Sequence, residues 1–173
     1  DVKLEGNINA GTGNVSFIPV APDATYPATH NYDLNGSFSD SLGGPSIVSG
    51  GGTLGASGYT FAAGQGPSLS NALINPAEYS ILMRFSLSSL TAANGSPYIA
   101  LFGFNDKVND TLFHHNGSGL RLYPYGTSSG SNEFTANQMV DMVVTREEAT
   151  NQFKVYIDGI IQYSVLDTGR IAV

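Results

Sequence analysis

The stretch from Met139 to Val165, MVDMVVTREEATNQFKVYIDGIIQYSV, decides the fold class. Two segments each place three apolar residues on one strand face: Val140, Met142 and Val144 on the first, and Phe153, Val155 and Ile157 on the second. Asp158-Gly159 follows, and this dipeptide can take the positive φ angles that a two-residue hairpin requires. The alternation continues in Ile160–Val165, so the stretch predicts two or three antiparallel strands.

The composition favours the same class. The chain has 173 residues, which suits one domain with a full core, and it contains 21 glycines. Charged residues make up only 12% of the chain, which argues against helical bundles and coiled coils. We therefore expect an all-β domain with many short strands.

The charge and the residue types exclude several functions. A net charge of −7 and an isoelectric point near 4.6 disfavour a nucleic-acid partner, which needs a basic surface. Membrane insertion is not expected, because no apolar run approaches the roughly 20 residues that span a bilayer. Without cysteine, disulfides, thiolate metal sites and cysteine nucleophiles are excluded.

The pattern divides the chain into an irregular lead-in, residues 1–29, and a domain, residues 30–173. Within the lead-in, Val15–Val20 could form only an edge strand, because it contains a proline. Helices longer than one or two turns are not predicted, and Asn71–Tyr79 and Thr91–Asn94 are the only candidates.

Four further segments have strand patterns. Ser80–Leu87 alternates cleanly, whereas Tyr98–Phe104 is apolar on both faces and predicts a central, covered strand. Thr111–His115 and Leu120–Tyr125 predict a hairpin around the loop at residues 116–119.

Three motifs together resemble the LamG-like jelly-roll group of the concanavalin A-like lectin/glucanase superfamily. The first is Tyr32-Asp33-Leu34, within the expected opening strand His30–Leu34, followed by the turn Asp40-Ser41-Leu42-Gly43. The other two are the strand Tyr79–Leu87 and the hairpin VVTREEATNQFKVYIDGIIQY at residues 143–163. The resemblance covers roughly residues 30–173. It implies two antiparallel sheets packed as a jelly-roll sandwich, with Greek-key connections.

Two departures from the family pattern bear on partners. The chain has no tryptophan, and Gln138-Met139 stand where the family often has an aromatic residue. The family's closing strand, which pairs beside the opening strand, has no counterpart at Ile171–Val173. We expect the open edge to be completed by further residues or by a segment of another chain; the alternative is that residues 1–30 cover it.

Catalysis is not expected. The superfamily's retaining glucanases carry a Glu-x-Asp-x-Glu strand, and this chain has no such run. Glu147-Glu148 are neighbours in a predicted turn, so their side chains diverge into solvent. The histidines and serines show no nucleophile signature.

One loop offers oxygen ligands for a metal. Asn105, Asp106 and Asp110 follow an apolar strand and carry the hard oxygen atoms that Ca²⁺ prefers, and LamG-like domains often hold calcium at a rim. The competing interpretation is that these residues only form turns. Zinc is not expected, because His114 and His115 are adjacent on a strand and point to opposite faces.

The predicted ligand site lies on the neighbouring hairpin. Tyr123 and Tyr125 offer ring faces for a sugar, Arg121 and His114 offer hydrogen bonds, and all four lie close together in the sequence. The competing interpretation is that Tyr123 packs in the core.

These observations predict a non-catalytic extracellular recognition module that binds a glycan or a protein partner, with calcium assistance. Richness in Asn, Gly, Ser and Thr and few lysines favour a secreted or cell-surface protein of bacterial origin. One alternative is a structural or adhesive spacer of a larger bacterial surface protein. A second is a polysaccharide-active enzyme with a divergent site. Each of these functions is inferred from the fold by analogy.

Overall fold

The computed structural model describes residues 7–10, 28–70, 75, 77–92, 94–104, 111–115, 119–123, 125–127 and 134–167. This part of the chain is all-β and contains no helix, and hence no helix able to cross a membrane. Its strands are β1 (Asn7–Ala10), β2 (Thr53–Gly55), β3 (Gly58–Phe61), β4 (Tyr79–Leu87), β5 (Tyr98–Gly103), β6 (Thr111–His115), β7 (Gly119–Tyr123), β8 (Gly126–Thr127), β9 (Val140–Glu147), β10 (Gln152–Ile157) and β11 (Ile160–Leu166).

The described strands form two sheets. The larger sheet has seven strands in the order β11-β10-β9-β4-β1-β3-β2, and the smaller has four in the order β5-β6-β7-β8. All pairs are antiparallel except that β1 runs parallel to both β3 and β4. An isolated bridge joins Val48 to Ser68.

The β9–β11 unit confirms the prediction from Met139–Val165. β10 pairs antiparallel with β9 on one side and with β11 on the other. Asp158 and Gly159 have φ angles of 49° and 80°, as a two-residue turn of the mirror-image type demands. Asp158 also accepts a hydrogen bond from the Asp141 backbone N–H at 2.9 Å, which ties the turn to β9.

One irregularity within this unit was not predicted. Val155 pairs with Tyr163, but the next residue, Tyr156, pairs with Ile161, so Gln162 is an extra residue in β11. This β-bulge breaks the alternation, and Gln162 and Tyr163 are consequently both buried.

The sheets pack face to face as a β-sandwich. Inward and outward residues alternate along β9 and β10 and along β4 up to Phe85, and the inward ones belong to the same core as those of β6 and β7. The core is completed by residues from the segments between strands, including Tyr32, Leu34, Ile47 and Phe134. Burial of this apolar surface is the main stabilising term.

The prediction for Tyr98–Phe104 was wrong. β5 is an edge strand among the described strands of the small sheet, and its side chains are only partly buried. Its outward aromatic residue, Tyr98, packs on neighbouring side chains of the same sheet face instead of under a further layer. An apolar pattern on both faces therefore did not indicate burial on both faces.

The N-terminal region also differs from expectation. His30–Leu34, expected as the opening strand, is not a strand, although Tyr32 and Leu34 are buried. Within the lead-in that the sequence pattern left irregular, Asn7–Ala10 forms β1 inside the large sheet. The predicted strand Val15–Val20 lies outside the described residues, as do residues 71–74 and 76 of the helix candidate Asn71–Tyr79.

The turn at Gly159 generates a stability prediction. Gly159→Ala should lower the free energy of unfolding by about 1–2 kcal/mol, because an L-residue is strained at this φ angle although the added carbon meets no atom within 4 Å. Urea unfolding measures the change. Gly55→Ala is the matched control, since Gly55 lies in β2 without a positive φ angle and should tolerate the methyl group; equal losses at the two positions would contradict the strain argument.

Candidate functional site

The β6–β7 hairpin divides the predicted ligand residues between two faces. Arg121 and Tyr123 alternate with the buried Leu120 and Leu122, so they lie on the outer face of the small sheet. His114 pairs with Leu120 and is therefore on the inner face. The structure brings Arg121 and Tyr123 together and separates His114 from them.

His114 is fully buried in the core. Its ring packs edge-on against Phe134, with the ring centroids 5.0 Å apart. Because no part of the side chain reaches the surface, His114 cannot share an exposed ligand site with Arg121 and Tyr123. The expectation that His114 helps to bind a surface ligand is therefore not supported by its position.

Tyr125 serves an internal contact. Its hydroxyl donates a hydrogen bond to Asp167 Oδ1 at 3.0 Å, and the side chain is half-buried. Tyr123, by contrast, is 59% exposed, so the competing interpretation of Tyr123 as a core residue is wrong.

The outer face of the small sheet carries a cluster that we call the outer aromatic face: Tyr98, Phe113, His115, Arg121 and Tyr123. Tyr98 contacts three other members of this cluster and is 40% exposed. Its ring contacts His115 and Phe113 edge-on, with centroid distances of 4.5 and 6.2 Å.

Arg121 is held against the same ring. The guanidinium carbon lies 5.5 Å from the Tyr98 ring centroid, and Nη1 donates a hydrogen bond to the Tyr98 hydroxyl at 2.8 Å. These two contacts orient the tyrosine ring and the positive charge relative to each other. The face thus combines ring surfaces, hydrogen-bonding groups and a fixed cation, and the described residues of β5–β8 include no carboxylate.

The sequence pattern missed Tyr98, Phe113 and His115 as members of this face. The hairpin register could have found two of them, since Phe113 pairs with Arg121 and His115 with Gly119. Tyr98 could not be found in this way, because its position depends on the register with which β5 pairs with β6.

The predicted metal ligands cannot be placed. Asn105, Asp106 and Asp110 lie outside the described residues, so the calcium site stays a prediction. Within the described ranges, no group of three or more His, Cys, Asp or Glu side chains is arranged to hold a metal ion. Glu147 and Glu148 are exposed at the end of β9, where Glu147 accepts a hydrogen bond from Thr150 at 2.6 Å.

A buried ion pair links β9 to the residue that follows β11 in the large sheet. Arg146 on β9 donates from Nε to Asp167 Oδ2 at 2.7 Å, and both side chains are almost fully buried. The guanidinium also donates to the Ala77 carbonyl and to Asn151 Oδ1. Since Asp167 also accepts the bond from Tyr125, which precedes β8, the ion pair is linked to the small sheet.

A second buried cluster joins His30 to Asp40. His30 Nδ1 lies 2.6 Å from Asp40 Oδ2, and the carboxylate also accepts bonds from the backbone N–H groups of Asn31, Leu42 and Gly44 at 2.8–3.0 Å. A Cβ at Gly44 would collide with the Asp40 carboxylate and the His30 ring. Only glycine therefore fits at position 44. We call this cluster of His30, Asp40 and Gly44 the Asp40 corner.

The environment of Asp40 changes its acidity. Burial by itself raises the pKa of the carboxyl, but the hydrogen bonds from Asn31, His30 and Leu42 and the charge of His30 outweigh burial and lower the pKa below its ordinary value of 3.8. The residue belongs to the motif Asp40-Ser41-Leu42-Gly43, and its carboxylate organises that turn.

Comparison with known proteins adds no identity. None of the family models, curated proteins or solved structures compared with the chain matches it. The site must therefore be interpreted from its own geometry.

The buried ion pair leads to a second stability prediction. Asp167→Ala should cost about 3–5 kcal/mol of unfolding free energy, because it leaves the Arg146 guanidinium buried without its counter-ion. Tyr125→Phe removes the hydrogen bond from the hydroxyl to Asp167 Oδ1 and should cost about 1 kcal/mol. The double variant Arg146→Met/Asp167→Leu should be less destabilised than Asp167→Ala; a double variant that is worse would contradict this account.

Acid unfolding tests the Asp40 corner. Because the folded-state pKa is lowered, Asp40 stabilises the fold above its unfolded pKa, and this contribution is lost as the pH falls through the folded value. Asp40→Asn should cost about 1–3 kcal/mol at neutral pH and flatten the acid-side loss of stability. Urea unfolding at a series of pH values measures both effects.

The exposed neighbour Asp33 supplies the control for that experiment. Asp33→Asn should keep the unfolding midpoint of the unsubstituted chain at neutral pH. If an Asp40→Asn variant loses stability with acid as steeply as the unsubstituted chain, the Asp40 carboxylate is not the cause of that loss.

Proposed function

We propose that this protein is a non-catalytic recognition module that binds carbohydrate through its outer aromatic face. The observation that carries the proposal is the exposure of Tyr98 and Tyr123 on one sheet face, beside the oriented guanidinium of Arg121. Tyrosine rings stack on the apolar face of a sugar ring, while neighbouring polar groups bond its hydroxyls.

The spacing of these residues suits an oligosaccharide. Tyr98 and Tyr123 lie two strands apart and are offset by four residues along β7, since Tyr98 is level with Gly119. Sheet geometry converts these offsets to a separation of roughly 16 Å, with Arg121 between the two rings. A single sugar cannot reach both tyrosines, so the proposed ligand is a chain of several units.

The fold-level part of the proposal is a LamG-like jelly roll on the surface of a bacterial cell or secreted from it. Its support is that the motifs behind the resemblance lie at structurally demanding positions: the Asp158-Gly159 turn, the buried Tyr32 and Leu34, and the Asp40 corner. A protein ligand on the same face is the second candidate, because exposed tyrosine and arginine side chains are also typical of protein interfaces.

A binding experiment tests the proposal. A glycan array should identify an oligosaccharide ligand, and isothermal titration calorimetry should then show that Tyr98→Ala and Tyr123→Ala each weaken binding about tenfold, which corresponds to ~1.4 kcal/mol. Tyr156→Ala, on the outer face of the large sheet, is the matched control and should bind normally. Repeating the titration with EDTA tests the calcium prediction separately.

The proposal fails if no glycan binds, or if a bound glycan is indifferent to both tyrosine substitutions. The first outcome would favour the protein ligand or the spacer. The second would move the carbohydrate site away from the small sheet.

A further inference from the structure

An open groove lies on the outer face of the large sheet, and we call it the large-sheet groove. Its volume is about 300 Å³, at the lower end of the range for small-molecule sites in proteins. Side chains from three neighbouring strands line it: Ser80 on β4, Thr145 and Glu147 on β9, and Lys154 on β10. Glu78, which immediately precedes β4, borders the same groove. Carboxylate, ammonium and hydroxyl groups thus line one small space.

The pairing of the strands sets the positions of these side chains. Lys154 lies directly opposite Thr145, and Thr145 lies opposite Ser80, so these residues form one row across the three strands. Glu147 is two residues beyond Thr145 on the same strand, so its side chain points to the same face in the next row. Lys154 and Glu147 are therefore diagonal neighbours and not direct cross-strand partners.

Glu78 stands beside Glu147. The residue after Glu78, Tyr79, pairs with Arg146, so continuing the antiparallel register brings Glu78 opposite Glu147 at the end of the sheet. Both glutamates are exposed. The groove therefore has two carboxylates in one row and the ammonium group of Lys154 in the next, with backbone positions roughly 7 Å apart along the strands.

These three charges do not neutralise one another. The ion pairs among the described side chains include neither Glu78 nor Glu147 nor Lys154. Thr150 donates a hydrogen bond to Glu147 Oε2 at 2.6 Å, which orients the carboxylate and leaves Oε1 for another donor. A ligand that carries one charge of each sign would complement both rows.

Arg146 also borders the groove, but its donors are already used. It forms the buried ion pair with Asp167 and donates to the Ala77 carbonyl and to Asn151. Among the described residues that line the groove, Lys154 is therefore the cation that can receive a ligand carboxylate.

We propose that the large-sheet groove binds a dipeptide by its two charged termini. The ammonium terminus lies at Glu78 and Glu147, and the carboxylate terminus lies at Lys154. An extended chain spans about 3.3–3.6 Å per residue, so two residues match the spacing of roughly 7 Å between the rows. The hydroxyls of Ser80 and Thr145 supply donors and acceptors for the peptide group between the termini.

This site is separate from the outer aromatic face in position and in ligand. The outer aromatic face lies on the small sheet, and the described residues of β5–β8 carry no carboxylate, whereas the groove has two. Neither proposal depends on the other, and each has its own binding experiment.

Isothermal titration calorimetry of the whole chain with alanyl-alanine tests the proposal. N-acetyl-alanyl-alanine lacks the ammonium group and alanyl-alanine amide lacks the carboxylate, so each should bind about tenfold more weakly. Alanine carries both charges on one carbon, and trialanine carries them further apart. Both should also bind about tenfold more weakly, because neither matches the spacing of the two rows.

Two variants assign the termini to the two rows. Lys154→Met should weaken alanyl-alanine binding about tenfold but leave the affinity for the amide unchanged, since the amide has no carboxylate to lose. Glu147→Gln should weaken alanyl-alanine binding about fivefold and leave the affinity for the acetylated form unchanged. Glu148→Gln, at the exposed neighbour outside the groove, is the matched control and should bind normally. Circular dichroism of each variant checks that the fold is retained.

Absence of alanyl-alanine binding at millimolar concentration overturns the proposal. Binding that ignores Lys154→Met and Glu147→Gln also overturns it, because the dipeptide then lies elsewhere on the protein. If the acetylated form and the amide bind as well as alanyl-alanine, the charged termini do not make the contact. If alanine or trialanine binds more tightly than alanyl-alanine, the match between two residues and the two rows is wrong.

Discussion

Burial of the inner face of the β6–β7 hairpin is the constraint on which the proposed site depends. Leu112, Leu120 and Leu122 must face the large sheet, and strand alternation then forces Arg121 and Tyr123 outward. A shift of one residue in the pairing would exchange the two faces. The large apolar side chains on the inside thus hold the outer aromatic face in place without touching a ligand.

The two buried polar clusters hold segments of the chain in positions that hydrophobic packing alone would not determine. The Arg146–Asp167 pair joins β9 to the end of β11, and the Tyr125 hydroxyl extends it to the small sheet. Asp40 performs a comparable role for an irregular segment by accepting three backbone hydrogen bonds and one from His30. Both carboxylates are buried, and each of their oxygen atoms accepts at least one hydrogen bond, which makes burial tolerable.

Local patterns predicted the features that depend on local geometry. The Asp158-Gly159 turn, the β9–β10 pairing and the β6–β7 hairpin all follow from alternation and turn chemistry within short stretches. Only part of the candidate site was predicted correctly. Strand alternation places Arg121 and Tyr123 on one face of the hairpin, and the same alternation places His114 on the opposite face. Sequence proximity had grouped residues that strand geometry separates.

The remaining features depend on contacts between distant segments. The edge position of β5 follows from pairing that no short pattern contains, and the bulge at Gln162 changes the faces of β11 by one residue. The sequence pattern did not single out Arg146, yet this residue is buried because it forms an ion pair with Asp167, 21 residues later. An arginine alone does not indicate where its counter-ion will be.

The measurement that tests the central claim most directly is NMR chemical-shift mapping. The isotopically labelled protein is titrated with the oligosaccharide that the glycan array identifies. The account predicts that the perturbed resonances belong to Tyr98, Arg121 and Tyr123 and their neighbours on β5–β7, while those of β4, β9 and β10 stay unchanged. Perturbations confined to the large sheet, or none with any glycan, would contradict the assignment of the outer aromatic face as the carbohydrate site.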